Sequence, residues 1–282
     1  MAMSDVSLTA GMRSNLLQLQ NTATAINRTQ ERLSTGKQVN SALDNPTNFF
    51  ASQAALNRAA DFSARKDSMG EAIQTVKSAD AGISAITGLL SAAKGIAEAA
   101  LGSTITKDRV AFANQYNTLK TQIDQLASDS SYKGTNLLQG NDLTVNFNEN
   151  ASSKLTVTAF TATSATGLSL QAAGTAGSLD WTGSSAADGA AKITVDQGRM
   201  DSAITELRSQ SKTLAGNLNI ITTRQSFTDS MISTLQTGSD NLTLADMNKE
   251  GANMLMLNTR NSLGTTALSL SSQAAQSVLK LF

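Results

Sequence analysis

Any chemistry in this chain has to be done with carboxylates, amines, guanidinium groups and hydroxyls, because the sequence contains neither cysteine nor histidine. Their absence removes Cys–His and Ser–His–Asp nucleophiles and thiolate or imidazole zinc sites. Paired carboxylates, a lysine base or an oxygen-ligand site for calcium or magnesium stay open in principle, but no spacing organises them. There is no H-E-x-x-H and no G-x-x-x-x-G-K-[ST] phosphate loop; Gly36-Lys37-Gln38 lacks both the spacing and the hydroxyl. The scattered acids read as solvated helix faces, so no catalytic residue, cofactor or metal site is assigned. Lys+Arg and Asp+Glu balance at 22 each, which gives no field to capture nucleic acid or an anionic membrane.

The elements that carry these side chains are helices separated by a polar middle. Leu16, Leu19, Ala23, Ile26 and Leu33, with Gln30 in the remaining slot, alternate three and four apart, a heptad seam. Met256, Leu263, Ala267, Leu270, Ala274 and Leu281, with Arg260 and Ser277 in the remaining slots, repeat that spacing near the other end, and a third seam runs from Ile204 and Leu207 through Leu214, Leu218 and Ile221 to Ile232 and Leu235. Asn45-Pro46 is an N-cap followed by proline at the first helical position, and separates a helix of roughly 6–35 from one of roughly 47–100. A third helix restarts at Thr106-Lys107-Asp108 and ends near Tyr132-Lys133-Gly134, and Thr194 with Gln197 reads as a capping box opening a long C-terminal helix. Between them, 141–192 is rich in Ser, Thr, Gly and Ala, with alternating runs at 143–147 and 155–160 that predict one or two half-exposed strands.

Several of these features bear on where the chain works. The N-terminus has neither a basic region nor an apolar core of the Sec-signal type, and no stretch approaches the roughly 18 apolar residues of a membrane helix. Composition alone therefore predicts a soluble cytoplasmic protein. The terminal seams are thin, with Ala, Ser, Thr and Asn at many positions where a self-sufficient coiled coil has Leu or Ile. Burying apolar area is worth about 25 cal/mol per Å², against roughly 1–2 kcal/mol to order each residue. The ends are therefore expected to fold on assembly, where each helix meets several neighbours. Periodicity alone equally admits an intramolecular bundle or an isolated coiled-coil dimer.

The residue strings separate these readings. Asn15-Leu16 followed by Arg32-Leu33-Ser34-Thr35-Gly36-Lys37-Gln38-Val39-Asn40-Ser41-Ala42-Leu43-Asp44-Asn45 resembles the flagellin pattern N-L, then R-L-S-S-G-x-x-I-N-S-A-x-D-D. Ala79-Asp80-Ala81-Gly82-Ile83-Ser84 is similar to A-x-D-G-I-S. Asp108-Arg109, the run Gln122 to Ala127 and Tyr132-Lys133-Gly134-Thr135-Asn136-Leu137-Leu138 resemble D-R, E-I-D-R-I-A and F-N-G-x-x-L-L. Ala245-Asp246, Glu250 and the closing run Gln273 to Phe282 resemble the family's C-terminal pattern. The matches cover 1–140 and 193–282 in order, and the Leu43–Phe50 variant looks like flagellins of alphaproteobacteria.

This resemblance implies a mainly α fold: a long antiparallel helical hairpin or coiled-coil rod formed by both chain ends, with a small β-containing outward segment in the middle. In that arrangement 1–44 and 245–282 form an inner tube, 45–140 and 193–244 a surrounding spoke layer, and 141–192 a short variable surface segment. The implied function is a structural subunit, not an enzyme, that polymerises into the flagellar filament. A hook–filament junction protein of the same architecture is the alternative, and a soluble coiled-coil adaptor would need a seam richer in leucine. Implied partners are other flagellin subunits, the type III export apparatus and its chaperone, and cap and junction proteins, with no nucleic acid or membrane. Export would make the protein secreted and extracellular, overturning the cytoplasmic expectation from composition.

The residues expected to carry assembly are Leu16, Leu19, Ile26 and Leu33, packing against Leu263, Leu270, Val278, Leu281 and Phe282 within and between subunits. The sequence departs from the family at Asn45-Pro46 and at Ala275-Gln276, where the family has a second Asp and Pro-Gln. In many flagellins a stretch close to L-Q-R-V-R-E-L-A-V is recognised by a vertebrate innate receptor. The matching residues here are Leu90 to Glu98, with Ala92 in place of an arginine, Lys94 retained as a cation and Gly95 in place of a glutamate. Loss of two charged anchors implies poor recognition, although small residues there equally suit close packing in a polymer. The Ser/Thr-rich middle also offers acceptors for O-linked sugars, as exposed loops generally do.

Overall fold

The computed structural model describes residues 10–174 and 180–279, which form five α-helices and a two-stranded antiparallel sheet. In chain order these are α1 (Ala10–Thr35), α2 (Pro46–Gly102), α3 (Thr106–Asp129), β1 (Leu143–Asn146), β2 (Lys154–Val157), α4 (Ala186–Thr243) and α5 (Met247–Leu279). The protein is thus mainly α, as the strings implied. Packing divides it into a terminal unit, 1–58 with 234–282, and a central unit, 59–233. The expected division at 44 and 245 concerns layers of an assembly, which is a different property from packing within one chain.

Helix boundaries follow local chemistry. Asn45 Oδ1 accepts from the Asn48 N–H at 3.1 Å and caps α2, whose first residue is Pro46. After the break between α4 and α5, Asp246 caps α5: its Oδ1 accepts from the N–H groups of Asn248 (3.0 Å) and Lys249 (3.1 Å). Two boundaries differ from the sequence reading: α3 ends at Asp129, before the expected stop near Tyr132-Lys133-Gly134, and α4 opens earlier. The helix expected to open at Thr194 begins at Ala186, and Thr194 lies inside it, its hydroxyl donating to the Ala190 carbonyl. The working cap is Ser184-Ser185: Ser185 Oγ accepts from the Asp188 N–H, and Asp188 Oδ2 accepts from the Ser184 N–H. Gly189 obscures it in the sequence, because glycine marks loops, yet here it is required where α4 starts. A Cβ on Gly189 would stand 2.4 Å from the Trp181 carbonyl oxygen.

In the central unit, α2 buries Ile83, Ile86, Leu90, Ala93, Ala97 and Ala100 at alternating intervals of three and four. The change from large residues to alanine lets other elements approach its C-terminal half closely. Arg109, buried on α3, uses that proximity. Its Nε donates to the carbonyls of Ala100 (3.2 Å) and Ser103 (2.7 Å), and its Nη1 to that of Ala186 (2.8 Å), joining the end of α2 to the start of α4. The seam read along α4 from Ile204 to Ile221 faces the core, and its polar interruption Ser211 is satisfied by donating to Asp80 Oδ1 at 2.7 Å.

One face of the middle segment is buried. β1 and β2 pair with Leu143 opposite Val157, turning Val145, Phe147 and Val157 inward. Asn117 and Ala173 exchange two hydrogen bonds, and Asp124 accepts from both the N–H and hydroxyl of Ser164, stitching the segment to α3. Its far end is anchored by Trp181, fully buried against Tyr116 with ring centroids 5.1 Å apart. The indole Nε1 donates to Asp196 Oδ2 at 2.8 Å.

Burial pushes the Asp196 carboxyl above the usual carboxylate range, outweighing the Trp181 hydrogen bond and the Arg199 charge. The folded state therefore binds this proton more tightly than the unfolded chain does. Its contribution to stability falls as pH rises from 3.8 through the raised folded value, and is flat above it. Asp196→Asn keeps an acceptor for the indole and has no charge to desolvate. The difference in unfolding free energy between the variant and the unsubstituted chain should grow in the variant's favour across that pH window, as read by urea titration of Trp181 fluorescence. A difference that does not change with pH would contradict the assignment.

Candidate functional site

The terminal unit is built on α1 packed against α5. On α1 a line of buried or half-buried positions runs through Met12, Asn15, Leu19, Thr22, Ile26, Thr29 and Leu33, again three and four apart. This seam shares Leu19, Ile26 and Leu33 with the sequence reading but alternates them with threonines instead of Ala23 and Gln30. Thr22 can be buried because its hydroxyl donates to the Gln18 carbonyl of its own helix at 2.8 Å, leaving its methyl group to pack. The larger change is on α5. The inward line runs through Glu250, Met254, Leu257, Asn261, Gly264 and Leu268. The line read from the sequence, Met256, Leu263, Ala267, Leu270 and Ala274, is exposed, with Leu263 at 67% and Leu270 at 62%. A heptad count cannot tell two apolar stripes on one helix apart; close approach can, and it selects the smaller residues.

Gly264 shows this selection most directly. A Cβ there would meet Leu19 Cδ2 at 2.6 Å and Cγ at 3.2 Å, so the missing side chain is the hole that Leu19 fills. At the other end of the pair, Arg32 Nη1 donates to Glu250 Oε1 at 3.1 Å, with both side chains largely buried and Glu250 Oε2 without a partner. Beyond it the chain turns at Gly36 (φ 69°), a left-handed conformation that favours glycine. Gln38 N–H then donates to the Thr243 carbonyl (2.7 Å), and Ala245 N–H to that of Gly36 (2.9 Å). The R-L-S-T-G and A-D…E strings thus meet in space: Arg32 and Gly36 from one, Ala245 and Glu250 from the other.

Of the sequence-predicted assembly residues, Leu19, Ile26 and Leu33 lie in this seam. Leu16, Leu263 and Leu270 are exposed and are not brought together within the subunit. Val278 is in the last turn of α5, and Leu281 and Phe282 lie outside the described residues. Sequence reasoning missed the exposed Leu255 beside Met256, which the heptad template skips although the two residues are consecutive. On α2, Ala92 and Gly95 are exposed, and Lys94 donates to Asp201 Oδ1 of α4 at 2.7 Å. No atom lies within 4 Å of where a Gly95 Cβ would be, so packing within the subunit does not require glycine there. No group of three or more metal-ligating side chains occurs among the described residues.

Comparison with known proteins gives a consistent picture. The bacterial flagellin N-terminal helical region matches residues 6–142. Two curated relatives from Caulobacter vibrioides, flagellins FljM and FljN, are 29% and 30% identical over 284 residues, covering 100% of each chain. A flagellin from Brucella melitensis is 28% identical over 272 residues, covering 94% of each chain.

The Leu19–Gly264 fit can be tested directly. Gly264→Val should weaken the α1–α5 pairing by about 1–3 kcal/mol, the usual cost of overpacking. Leu19→Ala in that background should restore part of the loss. Amide hydrogen exchange across α1 and α5 reads both effects, and equal protection in all variants would contradict the close approach.

Proposed function

Since this chain belongs to the flagellin family and is a structural subunit that polymerises with other flagellin subunits into the flagellar filament, we propose that the exposed stripes of its terminal helices make the contacts between subunits. The observation that supports this reading is the α5 stripe of Leu255, Met256, Leu263 and Leu270, large apolar side chains on the face α1 leaves bare. Monomers rarely expose contiguous apolar surface without a partner for it. Leu19, Ile26 and Leu33 serve the pairing within the subunit, and Leu16, Leu263 and Leu270 the pairing between subunits.

Further partners follow from the same reading. The subunit leaves the cell through the flagellar type III export channel with a chaperone, meets cap and junction proteins, and works outside the cell. Thin terminal seams rich in Thr, Ser and Gly suit this route, because a weakly held pair unfolds at low cost before export and reforms on assembly. The family is a structural one, and we assign the chain no catalytic activity. A junction role finds no specific support, since the relatives named above are described as flagellins.

Negative-stain microscopy of seeded monomer should show filaments from the full chain and none from a chain lacking 264–282. Leu263→Asp with Leu270→Asp should leave the monomer's circular dichroism unchanged. It should raise the critical concentration at least about tenfold, or about 1.4 kcal/mol per contact set. Soluble monomers in every sample would remove the filament reading.

The surface formed by Ala92, Lys94 and Gly95 lacks two charged anchors and holds its remaining cation in an ion pair with Asp201. The vertebrate innate receptor that reads this stretch in other flagellins should respond poorly. A receptor-activation assay with monomer at full potency would refute this.

A further inference from the structure

The turn between α1 and α2 presents an apolar side chain that has no role within one subunit. Leu43 is 95% exposed. The turn that lifts it is held on several sides. Asp44 Oδ2 accepts from the N–H groups of Asn40 and Ser41, both at 3.1 Å, and from the Ser41 hydroxyl at 3.2 Å. Arg28 stands 3.5 Å from the other carboxylate oxygen. A side chain presented by a preorganised turn loses little further entropy on docking.

The same unit carries a recess of matching character. Ala252, Leu255, Met256, Thr259, Arg260 and Leu263 line a shallow hollow between side chains on the outer face of α5, widely open to solvent. Asp44, which pairs with Arg28 of its own chain, adjoins Leu43, and Arg260 borders the α5 surface and makes no ion pair with any described residue. The Ser41 and Asn40 N–H donors lower the Asp44 pKa.

A filament grows through a heterologous contact, in which one patch meets a different patch on the next copy and the operation never closes. Two copies of one apolar stripe meeting face to face would instead form a closed dimer. A knob and a recess on the same chain satisfy the open geometry. We propose that Leu43 inserts into the α5 hollow of a second copy of this chain, with Asp44 meeting that copy's Arg260. This rests on the filament reading above and adds which surface meets which.

Because the chain contains no cysteine, introduced thiols report the contact directly. Leu43→Cys subunits and Met256→Cys subunits are mixed, seeded into filaments and oxidised with copper phenanthroline. Dimers joining one variant to the other should appear in mixed filaments. They should be at least tenfold weaker in the unpolymerised mixture and absent as cross-variant species from filaments of either variant alone. Mixed filaments that yield no cross-variant dimers, or only dimers within one variant, overturn the proposal while leaving the filament reading intact. Failure of the unsubstituted chain to polymerise overturns both. As a second measure, Leu43→Asp should raise the critical concentration at least tenfold with unchanged monomer circular dichroism. An unchanged critical concentration also overturns the proposal.

Discussion

A helix can bury only one stripe against one partner, and both terminal helices here carry more than one. On α5 the inward line of Glu250, Met254, Leu257, Asn261, Gly264 and Leu268 is smaller and more polar than the outward Leu255, Met256, Leu263 and Leu270. The subunit thus spends its weaker surface on itself and leaves its stronger one uncovered. Close approach explains the choice: Gly264 admits Leu19, and a line of large residues would hold the axes apart. The outward stripe is the apolar surface proposed above for contacts between copies.

The pair still needs a register, and the polar groups at its base supply one. Arg32 and Glu250 form a largely buried ion pair, and the Gln38–Thr243 and Ala245–Gly36 hydrogen bonds fix the chain crossing beside it. Buried ion pairs add little net stability because desolvation offsets the attraction, but a misplaced partner leaves an uncompensated charge. Apart from the Leu19–Gly264 contact, a seam of Leu, Ile and Thr could slide by a heptad with little loss. The Arg32–Glu250 pair cannot, so a feature that contributes modestly to stability is well suited to specifying alignment.

The central unit solves a different problem. Alanines at 93, 97 and 100 of α2 leave space, and Arg109 fills the resulting junction with hydrogen bonds to three carbonyls. The short middle segment, poor in large apolar residues, is held by Trp181 and by polar stitches from Asn117 and Asp124. Asp196 is the cost of that anchoring: a buried carboxylate whose second oxygen has no partner.

The sequence by itself determined the helical class, the Asn45-Pro46 cap, the two alternating runs that became β1 and β2, and the family strings, because each depends on neighbours a few residues apart. It also determined that the chain ends are amphipathic. Which stripe faces inward was decided only in three dimensions, since a heptad template scores Leu263 above Gly264 and cannot know that Leu19 needs a hole. The start of α4 was likewise hidden, because the Ser185–Asp188 cap sits before a glycine whose presence answers to the Trp181 carbonyl rather than to the helix. Leu43 could be read from the sequence as a loop residue. Its presentation on a turn held by Asp44 and Arg28 follows from hydrogen bonds that a linear pattern does not record, with Arg28 lying on α1 outside the turn.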